Sequence, residues 1–342
     1  MTITTPGTRK TGNRTPITSA AVQAVLDHAQ VRVVGQARTA AELRAEEILG
    51  AVEMWRDRTL WYCPVTGGLQ NSNWQIAVEG DPVTYFLKVP GMGTEEYVDR
   101  ALTNVVGRTA GELGVGPRSI YHDADSGAEI IEFLEGYRAC TTGDMKDPAI
   151  VSQAIGLYRT LHASPPIGTR KTIFDMIDEH VEQVDQFDVP LPSIATTVHA
   201  EAWAARAAIE ASGLDFVLCQ NDPMPGNFLL SDGRPLKMVD YEFGGDNDRC
   251  SELGLFAQEM FFDDERVNAL VEEYFGTADR SLVARVHVNM ALADTKWGTW
   301  GCLYAKLQNN WDYDYHKYGV WKLSRARAKM ADPRWGTWLS LV

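Results

Sequence analysis

Residues 215–245 read Asp215-Phe-Val-Leu-Cys219, Gln220-Asn-Asp-Pro-Met-Pro-Gly-Asn227-Phe-Leu-Leu230, Ser231-Asp-Gly-Arg-Pro235 and Leu236-Lys-Met-Val-Asp240-Tyr-Glu-Phe-Gly-Gly245. Short apolar runs flank a turn rich in Asp, Gly and Pro, which signals a hairpin. Asp222 then leaves one strand end and Asp240 closes the second hairpin strand, so both carboxylates can converge on one point. Asn227 enters the hairpin between them. Asp and Asn also make ordinary turns at such places, so the rest of the chain has to decide.

The set suits phosphoryl transfer. One carboxylate orients the attacking hydroxyl, and metal ions neutralise the phosphate oxygens. Mg²⁺ takes oxygen ligands, which Asp and Asn supply. The step from Asp222 to Asn227 equals that between Asp and Asn in the protein-kinase catalytic loop. The spacing alone is common by chance, and the hairpin with a second Asp at its end sharpens it.

At 342 residues the chain can hold two domains or one large one. No apolar run reaches the length of a membrane span and no secretory leader is evident, so a cytoplasmic protein is expected. The five cysteines lack C-x-x-C spacing, which points to buried thiols rather than disulfides or zinc. A net charge of −14 argues against nucleic acid and is compatible with a cationic substrate.

Residues 1–17 read as a disordered tail, followed by helices near 19–29 and 40–56, the second opened by a Thr39-x-x-Glu42 capping box. Strands are expected at Thr59–Thr66, Asn73–Val78 and Thr84–Val89, then a helix at Thr94–Leu113 and strands near 117–122 and 128–133. Three strands, a helix and two strands make the small lobe of a kinase-like fold. Residues 134–146 read as a hinge and connector. Asp147-Pro148 opens a helix whose apolar positions Ile150, Val151, Ala154, Ile155, Tyr158 and Leu161 keep a helical period. The expected architecture is α+β: a two-lobed protein kinase-like fold, its small lobe an antiparallel sheet plus one helix, its large lobe mostly helical. The expected divisions are 1–57, 58–136 and 137–342.

From about Thr59 to Ala331 the sequence resembles the choline/ethanolamine kinase family, most closely its bacterial members, whose fold is shared with aminoglycoside phosphotransferases. Gly67-Gly-Leu-Gln-Asn-Ser-Asn73 resembles the nucleotide loop, and Tyr85-Phe-Leu-Lys-Val-Pro-Gly-Met-Gly-Thr-Glu-Glu96 the strand with the phosphate-binding basic residue. Ile130-Ile-Glu-Phe-Leu-Glu-Gly136 is similar to the hinge, Asn221–Leu230 to the catalytic loop and Asp240–Gly245 to the metal motif. The resemblance implies ATP and Mg²⁺ as cofactors. Gly67, Gly68, Asn71, Ser72, Asn73, Lys88, Glu132 and Leu134 would hold the nucleotide; Asp222 would act as base, with Gln220 and Glu242 in support; Asn227 and Asp240 would hold the metal. A Gly-Gly turn lets backbone N–H groups approach phosphates, and a lysine adds a point charge. Gly67-Gly68 also fits a plain hairpin turn, Lys88 a solvated strand lysine and Glu242 an exposed strand-end carboxylate.

The resemblance places the alcohol site in the C-terminal helices. Trp297 and Trp300 share one helix face, and with Tyr318, Glu259 and Tyr241 they would receive a quaternary ammonium by cation–π attraction. Aromatic pairs at this spacing also build cores, and Tyr313 and Tyr315 compete with Tyr318. Two departures stand out. The family usually carries His where this chain has Gln220, which keeps hydrogen bonding and loses a titratable group. The small-lobe helix usually offers a Glu to the strand lysine, whereas Arg100–Val106 has none, leaving Asn104, Glu95 or Glu96 as substitutes.

The reading is an ATP- and Mg²⁺-dependent kinase for the hydroxyl of choline or a related small cationic amino alcohol, with a homodimer compatible. Its rivals are ethanolamine or an aminoglycoside as acceptor, or a kinase-like binding protein with little turnover. The last twenty residues hold Asp332 and no other acid, against the clustered carboxylates that a polyamine antibiotic would need.

Overall fold

The computed structural model describes residues 19–66, 71–91, 98–307 and 313–342. The expected tail and the Gly67-Gly68 turn lie outside them, as do Glu95, Glu96 and Trp311. The chain divides into two compact units, residues 1–91 with 120–135 and residues 92–119 with 136–342. In this division the N-terminal helices fall with the sheet and residues 98–119 fall with the C-terminal part.

In the first unit, α1 (Ala20–Leu26), β1 (Arg32–Val33) and α2 (Ala40–Ala51) precede β2 (Leu60–Pro64), β3 (Ser72–Val78) and β4 (Thr84–Val89). With β5 (Ser119–His122) and β6 (Glu129–Glu132) they form a six-stranded sheet in the order β1-β2-β3-β4-β6-β5. The expected capping box holds: Thr39 accepts from Glu42 N at 3.2 Å, and Glu42 Oε2 accepts from Thr39 N at 2.9 Å. Alternation sorts the strands into two faces. Tyr62, Trp74, Ile76, Tyr85, Leu87 and Ile130 pack with Ile48, Leu49 and Trp55 from α2 and the short 3₁₀ turn after it. On the opposite face Cys63 and Ala77 pack under Val22 and Val25 of α1. The N-terminal segment thus covers the sheet on both sides, which accounts for a stretch the family resemblance left unexplained. β1 was missed because two residues carry no period to read.

The second unit opens with α3 (Arg100–Glu112), capped by Asp99 accepting from Leu102 N at 2.9 Å. β7 (Arg138–Ala139), α4 (Pro148–His162), α5 (Ile173–Gln186) and α6 (Ile194–Ser212) lead to β8 (Phe216–Cys219). β9 (Phe228–Leu230) and β10 (Lys237–Met238) form the expected hairpin, with Leu229 opposite Lys237 and β7 on the other edge. β11 (Gly245–Asp248) returns antiparallel to β8. Then come α7 (Arg249–Glu259), α8 (Asp264–Phe275), α9 (Arg280–Leu307), α10 (Tyr315–Met330) and α11 (Trp335–Leu341). α9 is buried all round from Val286 to Tyr304, as a central helix must be. α10 crosses it closely because a Cβ on Gly301 would sit 2.8 Å from Gly319 Cα, so only glycine permits that approach. All five cysteines are unpaired and buried. No described helix is long and apolar enough to cross a membrane.

Candidate active site

The loop that carries Asp222 leaves β8 under tight control. Glu252, in the first turn of α7, accepts from Gln220 N at 2.7 Å and from Asn221 N at 2.8 Å. Asn221 adopts φ +63°, the left-handed region that costs a non-glycine residue energy. Its side chain donates to Phe243 O (2.9 Å) and Lys171 O (3.2 Å) and accepts from Asn247 Nδ2 (2.8 Å). Asp240 is similarly strained at φ +66°. Such strain persists where surrounding bonds over-determine it, commonly at functional sites.

Asp222 is 7% exposed, and Asn227 Nδ2 donates to its Oδ2 at 3.0 Å and its backbone oxygen at 2.8 Å. The other oxygen, Oδ1, has no hydrogen-bond partner among the described residues. Burial, aided by the Asp240 carboxylate, pushes the Asp222 carboxyl well above the usual range, while Lys296 pulls it down. An oxygen that needs a donor is what a base offers an alcohol. Asn227 has spent its amide nitrogen on Asp222, so its oxygen is the atom available to a cation. With the half-buried Asp240 carboxylate it makes an all-oxygen donor set, which fits Mg²⁺.

Gln220 is fully buried, and its amide donates to Val239 O at 2.7 Å and Asp240 O at 3.2 Å. It braces the backbone at Val239 and Asp240. Glu242 is half-buried in the turn after Asp240. Tyr241 takes a different place from the expected acceptor position: its hydroxyl donates to Met238 O at 2.9 Å and its ring sits in the apolar core against Gly107 and Gly116. An aromatic beside a metal motif was too short a signal to separate core from site.

Of the residues expected to meet the acceptor, Trp297 and Trp300 have ring centroids 5.5 Å apart at 88°, and the Tyr318 ring lies 6.2 Å from that of Trp300. Tyr315 is buried against Trp300 and Tyr304, and Tyr313 is 38% exposed, which leaves Tyr318 as the half-buried member of the trio. Glu259 ends α7 and pairs with the buried Lys322 of α10, which also lies 3.4 Å from Asp294. Arg325 closes that network on Asp294 at 3.0 Å. Burial raises the Asp294 carboxyl to about 6 against both cations. Asp222 and Tyr318 both lie in the field of Glu259, and Tyr318 in that of Asp222.

Three residues of this site escaped the sequence reading: Lys296, Lys322 and Asp294, each fully buried. Lys296 lies 3.7 Å from the Trp297 ring centroid and 4.3 Å from that of Phe243. One face expected for a substrate cation therefore carries the chain's own. The signal was present in Ala291-Leu-Ala-Asp-Thr-Lys-Trp-Gly-Thr-Trp300, where two charges interrupt an otherwise apolar stretch.

The expected nucleotide residues described in the first unit fall just before and on β3 (Asn71, Ser72, Asn73), on β4 (Lys88), and at the end of β6 and just after it (Glu132, Leu134). Asn73 pairs across the ladder with Lys88 and Ser72 with Val89, while Asn71 Oδ1 accepts from Gly91 N at 3.3 Å. Lys88 points to the face opposite Leu87 and Val89. Glu132 is exposed and Leu134 half-buried.

Residues 62–327 match the family model described as choline/ethanolamine kinase. Protein LicA of Haemophilus influenzae is 24% identical over 215 residues, 61% of this chain and 61% of its own. The choline/ethanolamine kinase of Rattus norvegicus is 24% identical over 247 residues, 66% of this chain. The chain spans 61% of the length of both relatives. A solved choline/ethanolamine kinase family protein from Mesorhizobium loti superposes with a TM-score of 0.73 at 28% identity, covering 88% of this chain and 98% of that one.

Proposed function

Since the chain belongs to the choline/ethanolamine kinase family, we propose that it transfers the γ-phosphate of ATP to the hydroxyl of choline or a related small amino alcohol. The observation that carries this reading is the buried Asp222 carboxylate, held by Asn227 through Oδ2 at 3.0 Å with Oδ1 left without a partner among the described residues. Asp222, which would meet the hydroxyl, and Glu259 and Tyr318, which would meet the cation, all belong to the second unit. Asp222 Oδ1 would take the hydroxyl proton and align the oxygen for in-line attack, because positioning supplies most of the rate in this chemistry. Asn227 and Asp240 would hold Mg²⁺, which when bound neutralises phosphate charge. Asn71, Ser72, Asn73 and Lys88, with Gly67 and Gly68, would hold the phosphates, and Glu132 and Leu134 the base. Glu242 would support the metal-binding oxygens.

Trp300, Tyr318 and Glu259 would receive the substrate ammonium. Ring faces favour a trimethylammonium, whereas a primary ammonium seeks a carboxylate to donate its hydrogen bonds to. Glu259 is already paired with Lys322, so the aromatic wall weighs more and choline is preferred to ethanolamine. The test is ADP release with Mg-ATP and a panel of choline, ethanolamine and aminoglycosides. Release with choline at the lowest KM supports the reading. No acceptor-dependent release overturns it in favour of a binding protein, and release with ethanolamine or an aminoglycoside alone overturns the acceptor assignment.

A further inference from the structure

Lysine is almost never fully buried unless its charge is met, yet Lys296 is 0% exposed in the middle of α9. Among the described residues no carboxylate lies within ion-pairing distance of it. Its ammonium meets the rings of Trp297 and Phe243 at 3.7 and 4.3 Å, and donates to the backbone oxygen of Asn221 at 3.3 Å. Those rings cage the amine, whose charge burial disfavours, and among the described residues its hydrogen bond is to the loop that carries Asp222.

The carbonyl it grips has a special place. Asn221 O and Asp222 N belong to one rigid peptide plane, so fixing the oxygen fixes the direction in which Asp222 leaves the loop. Asn221 sits at φ +63°, and its other polar atoms are tied to Glu252, Lys171, Phe243 and Asn247. Lys296 is the remaining tie, and it comes from the helix that carries Trp297 and Trp300. The same ammonium contributes the attractive charge in the field at Asp222. A filler lysine would instead run its stem along apolar surface and carry its head to water.

We propose that Lys296 is a positioning residue that pins the Asn221–Asp222 peptide and couples the acceptor-binding helix to the base. The inference rests on the kinase reading for its catalytic consequence, and its structural part stands apart from it. The test compares the wild-type full-length protein with Lys296→Met, which keeps length and removes charge. Hydrogen exchange is followed over peptides covering 219–228 and, as a control, 282–292. Loop exchange should quicken by about tenfold while α9 and the melting temperature are unchanged. Turnover should fall about a hundredfold with KM for Mg-ATP unchanged. Unchanged loop exchange overturns the proposal, and so does turnover within about twofold of wild type. Should Lys296→Met fail to fold, Lys296→Gln, which removes the charge and whose side chain is one bond too short to reach Asn221 O, is read in the same way. A wild type without turnover refutes the kinase reading alone, and the exchange result still decides the role of Lys296.

Discussion

Gln220 donates from its buried side-chain amide to the backbone oxygen of Asp240, 3.2 Å away, and to that of Val239 at 2.7 Å. The residue two before Asp222 thus braces the backbone at Val239 and Asp240, and what it supplies is a donor rather than a titratable proton. Gln220→Ala should leave both carbonyls buried without this donor and cost about 1–3 kcal/mol in urea unfolding. Gln220→His, which restores one ring donor, should lose less. Equal stability of the alanine variant and the wild type would remove the brace.

Asp222→Asn keeps the shape that Asn227 contacts and removes the charge. Turnover should drop by about a hundredfold to ten-thousandfold, with ATP affinity measured by calorimetry little changed. Full retained rate would exclude Asp222 as the base.

Trp300→Phe should raise KM for choline about two- to tenfold by weakening the ring face offered to the ammonium, leaving KM for ATP alone. Gly319→Ala acts one step back. Its Cβ would lie 2.6 Å from Cys302 N, so α10 must shift and carry Tyr318 with it. It should lower stability by about 1–3 kcal/mol and raise KM for choline as well. Equal effects on choline and ATP would reduce Trp300 to packing.

His287 gives a pH dependence with a definite sign. Its ring stacks on Trp338 at 4.5 Å, Lys329 Nζ lies 2.9 Å from Nδ1, and burial lowers its pKa to about 4. The folded value lies below the unfolded one of about 6.5. The unfolded chain therefore binds the extra proton between them, so the contribution is complete above about 6.5 and is lost as pH falls toward about 4. The loss approaches about 1.4 kcal/mol per pH unit within that window. Melting curves of His287→Gln between those pH values should show a shallower acid slope, and an identical slope would exclude His287 as the source.

Much of this was legible without coordinates because it is local. Thr39 and Glu42 cap their helix within one turn, the Asp-Gly turn closes β9 on β10, and the family motifs sit in continuous segments. The Trp297–Trp300 pair could be placed on one helix face by spacing alone. Which faces it meets could not be read, since Lys296 is adjacent in sequence and its partners Asn221 and Phe243 are far along the chain.

What the sequence determined by itself is the kinase-like class of fold, the family, and the order in which the site residues occur. The tertiary structure decided that α1 and α2 clothe both faces of the sheet, that Tyr241 packs in the core, and that Glu259 is tied to Lys322. It also decided that the buried Lys296 amine donates to the backbone oxygen of Asn221. The physical reason is range: caps, turns and helical spacing are settled by bonds within a few residues. A buried charge takes its meaning only from groups that folding brings beside it.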